Sequence, residues 1–516
     1  MNPRKINCWP TLVTDIGKPA GDGVTCIAGL ARITAVLAFA SLTSACLVGP
    51  DYARPSVETP LTFKEAAGAP RQGWKVAMPD DDAVRGDWWS IFHDFTLDRL
   101  IRTIDVDNQT LRQAIARYEQ ARAVVQQARA QLFPTVIASP SISHSGRGDS
   151  EQTTLRLQGS ASWELDLFGR IRRQIESSAA SAQASAADLA LVRLTVQAEL
   201  ATNYFQLRYQ EALQRLLTET IQAYQRSLAI TRNQYAAGVA ARSDVITAET
   251  QLQTTQASAI AVELRRATAA HAIAILTGRP PSELSIPSGT LAAEPPRIPL
   301  TLPSTLLERR PDIARAERLV QAQSAQIGVA VAAFYPTVSL SASGGISGDP
   351  TRAFFSAGNQ FWSVTGAASE VLFDGGARSA ALQAARAAYD SAVATYRQTV
   401  LTAFREVEDG LSGVRILARQ QGVQREAANS ASRAVEIALN EYRAGTQNYT
   451  TVVTAQAIAL NNRVAVLQIA LNRFVTAVAL VRALGGGWDA RRLPANADVI
   501  VARLPVDRGQ ALRLDE

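Results

Sequence analysis

Two periodicities divide this chain. From Thr153 to Leu165 (TTLRLQGSASWEL), Leu155, Leu157, Gly159, Ala161, Trp163 and Leu165 alternate with Arg156, Gln158, Ser160, Ser162 and Glu164, a sustained period of two. Thr337 to Ser347 repeats the pattern, with Val338, Leu340, Ala342, Gly344 and Ile346 set against Ser339, Ser341, Ser343, Gly345 and Ser347. Weaker alternating partners run from Thr135 to Ser143, interrupted by Pro140, and from Phe361 to Phe373. The pattern predicts four β-strands, each with one apolar face and one small, polar face. The joining segments Ser145 to Gln152 and Gly348 to Gln360 are polar and read as solvent-facing turns.

The second periodicity is helical. One helix is predicted from Thr96 to Leu132, stopped by Pro134; a second from Arg170 to Tyr235 contains no proline; a third, Asp244 to Leu276, follows a turn at Gly238. At 1.5 Å per residue the second is on the order of 100 Å long, more than a compact domain accommodates. Apolar positions such as Leu191, Leu194, Ala198, Leu213 and Leu217 recur at spacings near 3.5, with Gln, Arg and Glu between them. Such helices pack as coiled coils. Small residues over Ser177 to Ala187 and Ala380 to Ala388 permit close approach.

Sliding the chain against itself by a little over two hundred residues brings matching segments into register. Phe133-Pro-Thr135 falls on Tyr335-Pro-Thr337, Leu167-Phe168 on Leu372-Phe373, Tyr235-Ala-Ala-Gly238 on Tyr442-Arg-Ala-Gly445, and Leu276-Thr-Gly278 on Ala483-Leu-Gly485. The preserved order indicates an internal duplication. Between the halves, residues 279–303 hold seven of the chain's 22 prolines, which forbids helix or central strand there. The expected organisation is a signal peptide at 1–45, an N-terminal segment at 46–95, a first repeat at 96–278, the Pro-rich linker at 279–303, a second repeat at 304–485 and a tail at 486–516. The tail has no readable role, and Gly485-Gly-Gly487 reads as a helix stop.

Alternating ten-residue segments match membrane β-barrel strands and half-buried soluble strands alike, and on pattern alone the soluble reading is favoured. Context reverses that preference, because the neighbouring coiled-coil segments offer no core to cover the apolar faces. Closed membrane barrels begin at about eight strands and tolerate no open edge, so a chain with four must combine with copies of itself. Three copies supply twelve strands.

Composition narrows the function classes. With 47% apolar and only 19% charged residues the 516-residue chain is folded and helix-rich. Of the formal charge of +6, Arg4, Lys5, Lys18 and Arg32 against Asp15 and Asp22 supply +2, leaving about +4 for the rest. That excess, without Lys/Arg clusters interleaved with aromatics, argues against nucleic acid as a partner. His93, His144 and His271 are scattered and have no cysteine beside them, so neither a metal site nor a cofactor nor a catalytic constellation is expected. All three cysteines lie in the first 46 residues. Ile33 to Ala45 (ITAVLAFASLTSA) follows Arg32, is too short to span a bilayer, and ends in small residues before Cys46, as a secretion signal does. A signal abutting a cysteine resembles a bacterial lipoprotein signal, in which that cysteine is acylated. Thr43 departs from the usual Leu, the segment Met1 to Leu30 is long and acidic for an n-region, and an ordinary cleaved signal is the alternative.

In this order and spacing, Gly49-Pro-Asp-Tyr-Ala-Arg-Pro55, Trp88-Trp-Ser-Ile-Phe-His-Asp94, Leu165-Asp-Leu-Phe-Gly-Arg170 and Arg309-Arg-Pro-Asp-Ile313 resemble the TolC/OprM-type outer membrane factors, most closely their lipoprotein, NodT-like branch. The resemblance covers nearly the whole chain after Cys46. It implies a mainly α fold with membrane β: a homotrimer with a twelve-stranded β-barrel in the outer membrane, a periplasmic α-barrel of long helices, and no enzymatic activity. It further implies an exit duct of a tripartite efflux or type I secretion system, anchored by lipid on Cys46 and partnered by a periplasmic adaptor protein and an inner-membrane pump. In that family the helical hairpin tips dock the adaptor and close the channel. The matching positions are Gly238, Val239 and Asp244 in the first tip and Gly445 and Thr446 in the second, with Tyr449, Thr451 and Thr454 as candidate gate residues. Many members carry an acidic residue where this chain has Thr451 and Thr454, which puts a carboxylate gate in doubt. A periplasmic coiled-coil lipoprotein without a pore is the alternative; the four alternating segments argue against it.

Overall fold

Asp94 and Asn108 divide the first predicted helix in two. The Asp94 carboxylate accepts the amide N–H groups of Thr96 and Leu97 at 2.9 and 3.1 Å and starts helix α1, Phe95–Asp107. Asn108 is extended, with φ −67° and ψ 121°, and its Oδ1 accepts the Leu111 N–H at 2.8 Å to start α2, Gln109–Ala130. The single helix expected over Thr96 to Leu132 is therefore two, because the Asn108 amide competes with the helical backbone for hydrogen bonds. The computed structural model describes residues 47–60, 62–65, 87–292, 294–296, 298, 308–349 and 354–501; Cys46 and the signal segment lie outside the described residues.

After α2 come strands β1, Thr135–Arg147, and β2, Ser150–Leu165, then helices α3, Arg170–Ala236, and α4, Arg242–Leu276. The second half repeats the order with α5, Pro311–Ala332, β3, Thr337–Gly348, β4, Gln360–Ser369, α6, Ala377–Arg443, and α7, Tyr449–Ala483. Corresponding helices have identical lengths: 22 residues in α2 and α5, 67 in α3 and α6, 35 in α4 and α7. The strands form one antiparallel sheet in the order β1-β2-β3-β4. β1 and β2 run past the expected loop and leave only Gly148 and Asp149 to turn the chain, Gly148 having φ 61°. Pro140, which lacks an N–H, is accommodated because β1 is an edge strand. β4 ends at Ser369, short of the expected Phe373.

α3 is the spine. It packs along α2, α4, α5 and α7, while α6 packs along α5 and α7. Its stretch from Ser177 to Ala187 is buried at Ser177, Ser178, Ala179, Ala180, Ala182, Gln183, Ala184 and Ala187, small side chains that let neighbours approach from several sides. The main core lies midway along the bundle. There the short helical turn Trp88–Phe92 and Leu97, Ile101 and Ile104 of α1 cover α3 and α7. Trp88 is buried and donates from Nε1 to Gln197 Oε1 at 3.1 Å, and Phe92 and Phe474 both pack on Phe205, with centroids 5.0 and 4.6 Å away. Burial of each such side chain stabilises by about 1.5–3 kcal/mol. Beyond the triple-glycine stop, whose three φ values are all positive, a short helix α8, Asn496–Val501, returns to α2 and α3 through Val499, which is buried against Val125 and Ala182.

Candidate functional site: the open sheet and the hairpin tips

The pairing register aligns the apolar residues of all four strands. Across β1 and β2, Val136 faces Ala161, Ala138 faces Gly159 and Ile142 faces Leu155; across β2 and β3, Leu157 faces Ile346, Ala161 faces Ala342 and Trp163 faces Leu340; across β3 and β4, Gly344 faces Trp362 and Ala342 faces Val364. Because directly paired residues project to the same side, one face is apolar except for His144, Glu151, Thr153 and Gln360 towards the turns, and the other carries mainly Ser, Thr, Gln and Gly. Among the described residues no layer covers the apolar face: Trp362 is 82% exposed, Val364 71% and Ile142 69%. Among the described residues the outer edges of β1 and β4 are unpaired. A sheet open on its apolar face and at both edges is an aggregation hazard in water and is the raw material of a barrel wall in lipid.

The junction between sheet and helices is built twice. Asp166 accepts the N–H groups of Ile171 and Arg172, each at 2.9 Å, and pairs with Arg172 Nε at 3.1 Å; Asp374 accepts from Gly376 and Arg378 at 2.9 and 3.1 Å and pairs with Arg378 Nε at 2.7 Å. These contacts hold the Asp374 carboxyl below the usual carboxylate range, the Arg378 side chain being the largest cause. Trp163 Nε1 donates to the Leu132 carbonyl at 2.9 Å, at the same level. The segment after Val48 is strapped on here too. Arg173, 2% exposed, donates to the carbonyl of Val48 and pairs with Asp51 and Glu176, both at 2.8 Å. Gly49 has φ 90° and lies so close to Gly328 that a Cβ would meet its Cα at 2.6 Å.

At the far end two hairpin turns lie side by side. Gly238 and Gly445 both have φ 75°; Val239 N–H donates to the Gln234 carbonyl at 2.9 Å and Thr446 N–H to the Glu441 carbonyl at 3.0 Å, closing the ends of α3 and α6 alike. Gly238, Val239, Gly445 and Thr446 are all exposed. Asp244 is half-buried, and its carboxylate accepts the Ala241 N–H at 3.4 Å, starting α4. Gln234 Nε2 donates to the Tyr442 carbonyl at 3.2 Å and Gln456 Nε2 to Ser227 Oγ at 3.2 Å, so the two hairpins are clasped together. Thr454 is exposed and Thr451 half-buried; Thr451 N–H donates to the Asn448 side chain at 3.2 Å. Tyr449 is the buried member of the gate candidates. It is 1% exposed, packs against Tyr442 with ring centroids 5.2 Å apart, and sits with Leu228, Ala248 and Val452 in a core between the hairpins, so its ring holds the tips together. Burial pushes its phenol above the ordinary range.

The sequence reading missed a buried polar chain midway along the bundle. Tyr204 donates to Asp94 Oδ2 at 2.6 Å and accepts from Arg208 Nε at 2.9 Å; Arg208 pairs with Glu211 at 2.7 Å and donates to the Pro287 carbonyl at 2.8 Å; Glu211 also takes Arg266 at 2.9 Å and the Gly289 N–H at 3.0 Å. This chain ties α1, α3 and α4 to the Pro-rich linker. Its members run from 94 to 289 in sequence; Asp94 closes the Trp88–Asp94 motif, but nothing local links it to Arg208 and Glu211, two charges on an otherwise apolar stripe. Among the described residues, no three His, Cys, Asp or Glu side chains converge as a metal site would require.

An open β-sheet with one lipid-type face, joined end-on to paired helices on the order of 100 Å long, defines the class: a channel subunit of the helical-duct, β-barrel kind. The comparisons agree. The family model described as outer membrane efflux protein matches residues 100–279 and 302–486, and the chain belongs to that family. It is 31% identical over 478 residues to the probable efflux pump outer membrane protein TtgC of Pseudomonas putida, covering 90% of this chain and 97% of that one. It is 33% identical over 474 residues to the outer membrane protein OprJ of Pseudomonas aeruginosa, covering 88% and 96%. Of the solved structures, the outer-membrane channel OprN superposes with a TM-score of 0.78 at 32% identity, over 86% of this chain and all of that one, and a CusC structure with 0.77 at 26%, over 86% and all. The chain is an outer-membrane efflux channel component; its relatives are channel proteins of Gram-negative bacteria.

Proposed function

We propose that three copies of this chain close their sheets into a twelve-stranded barrel and their helices into one continuous duct, the passive exit for drugs or other small solutes from a tripartite efflux pump. The observation that carries this is the sheet with an uncovered apolar face and two unpaired edges, because neither can persist in lipid or water without further strands. The helices support the same closure. α4 and α6 form the two lateral borders of the hairpin pair and carry uncovered apolar side chains, among them Ile260, Leu264, Val423 and Ile437.

The exposed turns at Gly238 to Val239 and Gly445 to Thr446 form the docking end for a periplasmic adaptor and, through it, an inner-membrane pump, with Thr451 and Thr454 near the aperture. Cys46 carries the lipid anchor. Val48, two residues on, donates its N–H to the Phe168 carbonyl at 3.3 Å at the sheet-to-helix junction. Native mass spectrometry of the detergent-extracted protein, followed by planar-bilayer recording, tests the reading. A trimer carrying acyl mass and giving discrete openings is expected; a monomer without conductance would overturn it.

A further inference from the structure

The polar face of the sheet carries an unbalanced charge. Within the four strands, the charged side chains on that face among the described residues are Arg147 at the turn, Arg156 and Glu164. Glu164 is neutralised at the helix end, where Arg170 grips it with Nε at 3.1 Å and Nη2 at 2.9 Å. Arg147 sits at the open turn. Arg156 has no carboxylate partner among the described residues; its guanidinium lies over the Phe361 ring, 4.7 Å from the centroid. The two side chains come from β2 and β4, with β3 between them. Phe361 pairs with Gly345, and Gly345 pairs with Gln158, next on this face to Arg156. Strands two apart are separated by about 10 Å, so the long arginine side chain reaches the ring only because Gly345 puts no side chain in the way. A Cβ at Gly345 would also run into the β2 backbone, 2.0 Å from the Leu157 carbonyl oxygen.

We infer that Arg156, laid across Gly345 and held flat on Phe361, is the charge-selecting element of the barrel, a ring of three cations that favours anionic over cationic solutes at the exit. The inference rests on the trimeric duct reading, in which the polar face lines the lumen. Three uncompensated guanidinium groups on a wall of low dielectric concentrate anions and deplete cations near it. The cation–π contact holds each charge against the wall, so the ring selects without narrowing the passage. The remaining polar face is Ser, Thr, Gln, Gly and Ala apart from Ile137 and Phe361, and sets no opposing field.

The test is the chloride-to-potassium permeability ratio, from reversal potentials of single trimers in a KCl gradient, for the wild type, Arg156→Lys, Arg156→Gln and Arg156→Glu. The wild type and Arg156→Lys are expected to favour chloride, Arg156→Gln to lose most of the preference, and Arg156→Glu to favour potassium, a change of several-fold that grows at low salt as the Debye length rises toward about 30 Å at 0.01 M. The same ratio in all four proteins, with channels forming normally, would overturn the inference and leave the duct reading standing. A wild type that favours potassium would also overturn it. No channels from the wild type would remove the duct reading, and the inference with it.

Discussion

The side-chain amide of Asn108 donates to the carbonyl of Leu276 at 2.7 Å, joining the start of α2 to the end of α4. The second repeat makes the same join with different chemistry: Arg310, preceding α5, donates from Nη1 to the Ala483 carbonyl at the end of α7 at 2.9 Å, and also pairs with Asp312 and Glu406 at 2.6 and 2.8 Å. Next to each join a left-handed glycine, Gly278 or Gly485, presses against the Asp107 or Arg309 carbonyl. Asn108→Ala should lower stability by about 1–2 kcal/mol through loss of the cap. Arg310→Ala should cost more than about 2 kcal/mol, because two carboxylates lose their partner together. Chemical denaturation of both variants checks the order.

Tyr204 supplies a pH prediction. Burial, and then the hydrogen bond to Asp94, push its phenol well above the ordinary range. A group with a raised folded pKa contributes stability that is whole below its unfolded value, about 10 for tyrosine, and is lost as pH rises toward the folded value. The wild type should therefore lose thermal stability above about pH 10 more steeply than Tyr204→Phe. At neutral pH the variant should be weaker by about 1–2 kcal/mol, since Asp94 and Arg208 both lose a partner. Melting curves at neutral and alkaline pH separate the two effects.

Tyr449→Ala should open a cavity between the hairpins, with a local cost of about 3–5 kcal/mol. Freed tips predict a larger conductance or longer openings in planar bilayers. The circular dichroism of the β-strands should not change, because the substitution lies at the tip and the sheet lies at the opposite end of the 67-residue α6.

The face assignment of the sheet can be checked with neighbouring residues of β2. Ala161→Arg places a charge on the apolar face and should cost about 2–4 kcal/mol near the bilayer midplane. Ser160→Arg places the same charge on the polar face and should fold into lipid vesicles nearly as well as the wild type. Equal losses in both would show that the faces are assigned wrongly.

Much of this architecture was legible in the residues. The alternation from Thr153 to Leu165 and from Thr337 to Ser347 fixed strands and faces, and the offset repeats fixed the duplication, because each is a local or strictly periodic signal. The break at Asn108 was hidden, since one capping side chain within an otherwise helical pattern looks like a surface residue. The burial of Tyr449 was hidden because its position in the first turn of α7 puts it at the tip, while that burial depends on Tyr442 and Leu228 from other helices. The Asp94, Tyr204, Arg208 and Glu211 chain was illegible for the same reason: only folding brings a helix cap, two turns of α3 and the linker together.

The equal lengths of α3 and α6 make duct length a stepwise property. Both helices start at a left-handed glycine, Gly169 or Gly376, and both end in a glycine turn, with Gln234 of one tip bonded to Tyr442 of the other. Inserting one residue into either helix would lift its tip by about 1.5 Å and turn every later side chain by about 100°, tearing that clasp. Only a change made in both halves, and of a number of residues such as seven or eleven that keeps the faces aligned to within about 20°, preserves it. A duct of this construction can grow or shrink to suit a deeper or shallower periplasm only in steps of about 10 to 16 Å, taken by both repeats at once.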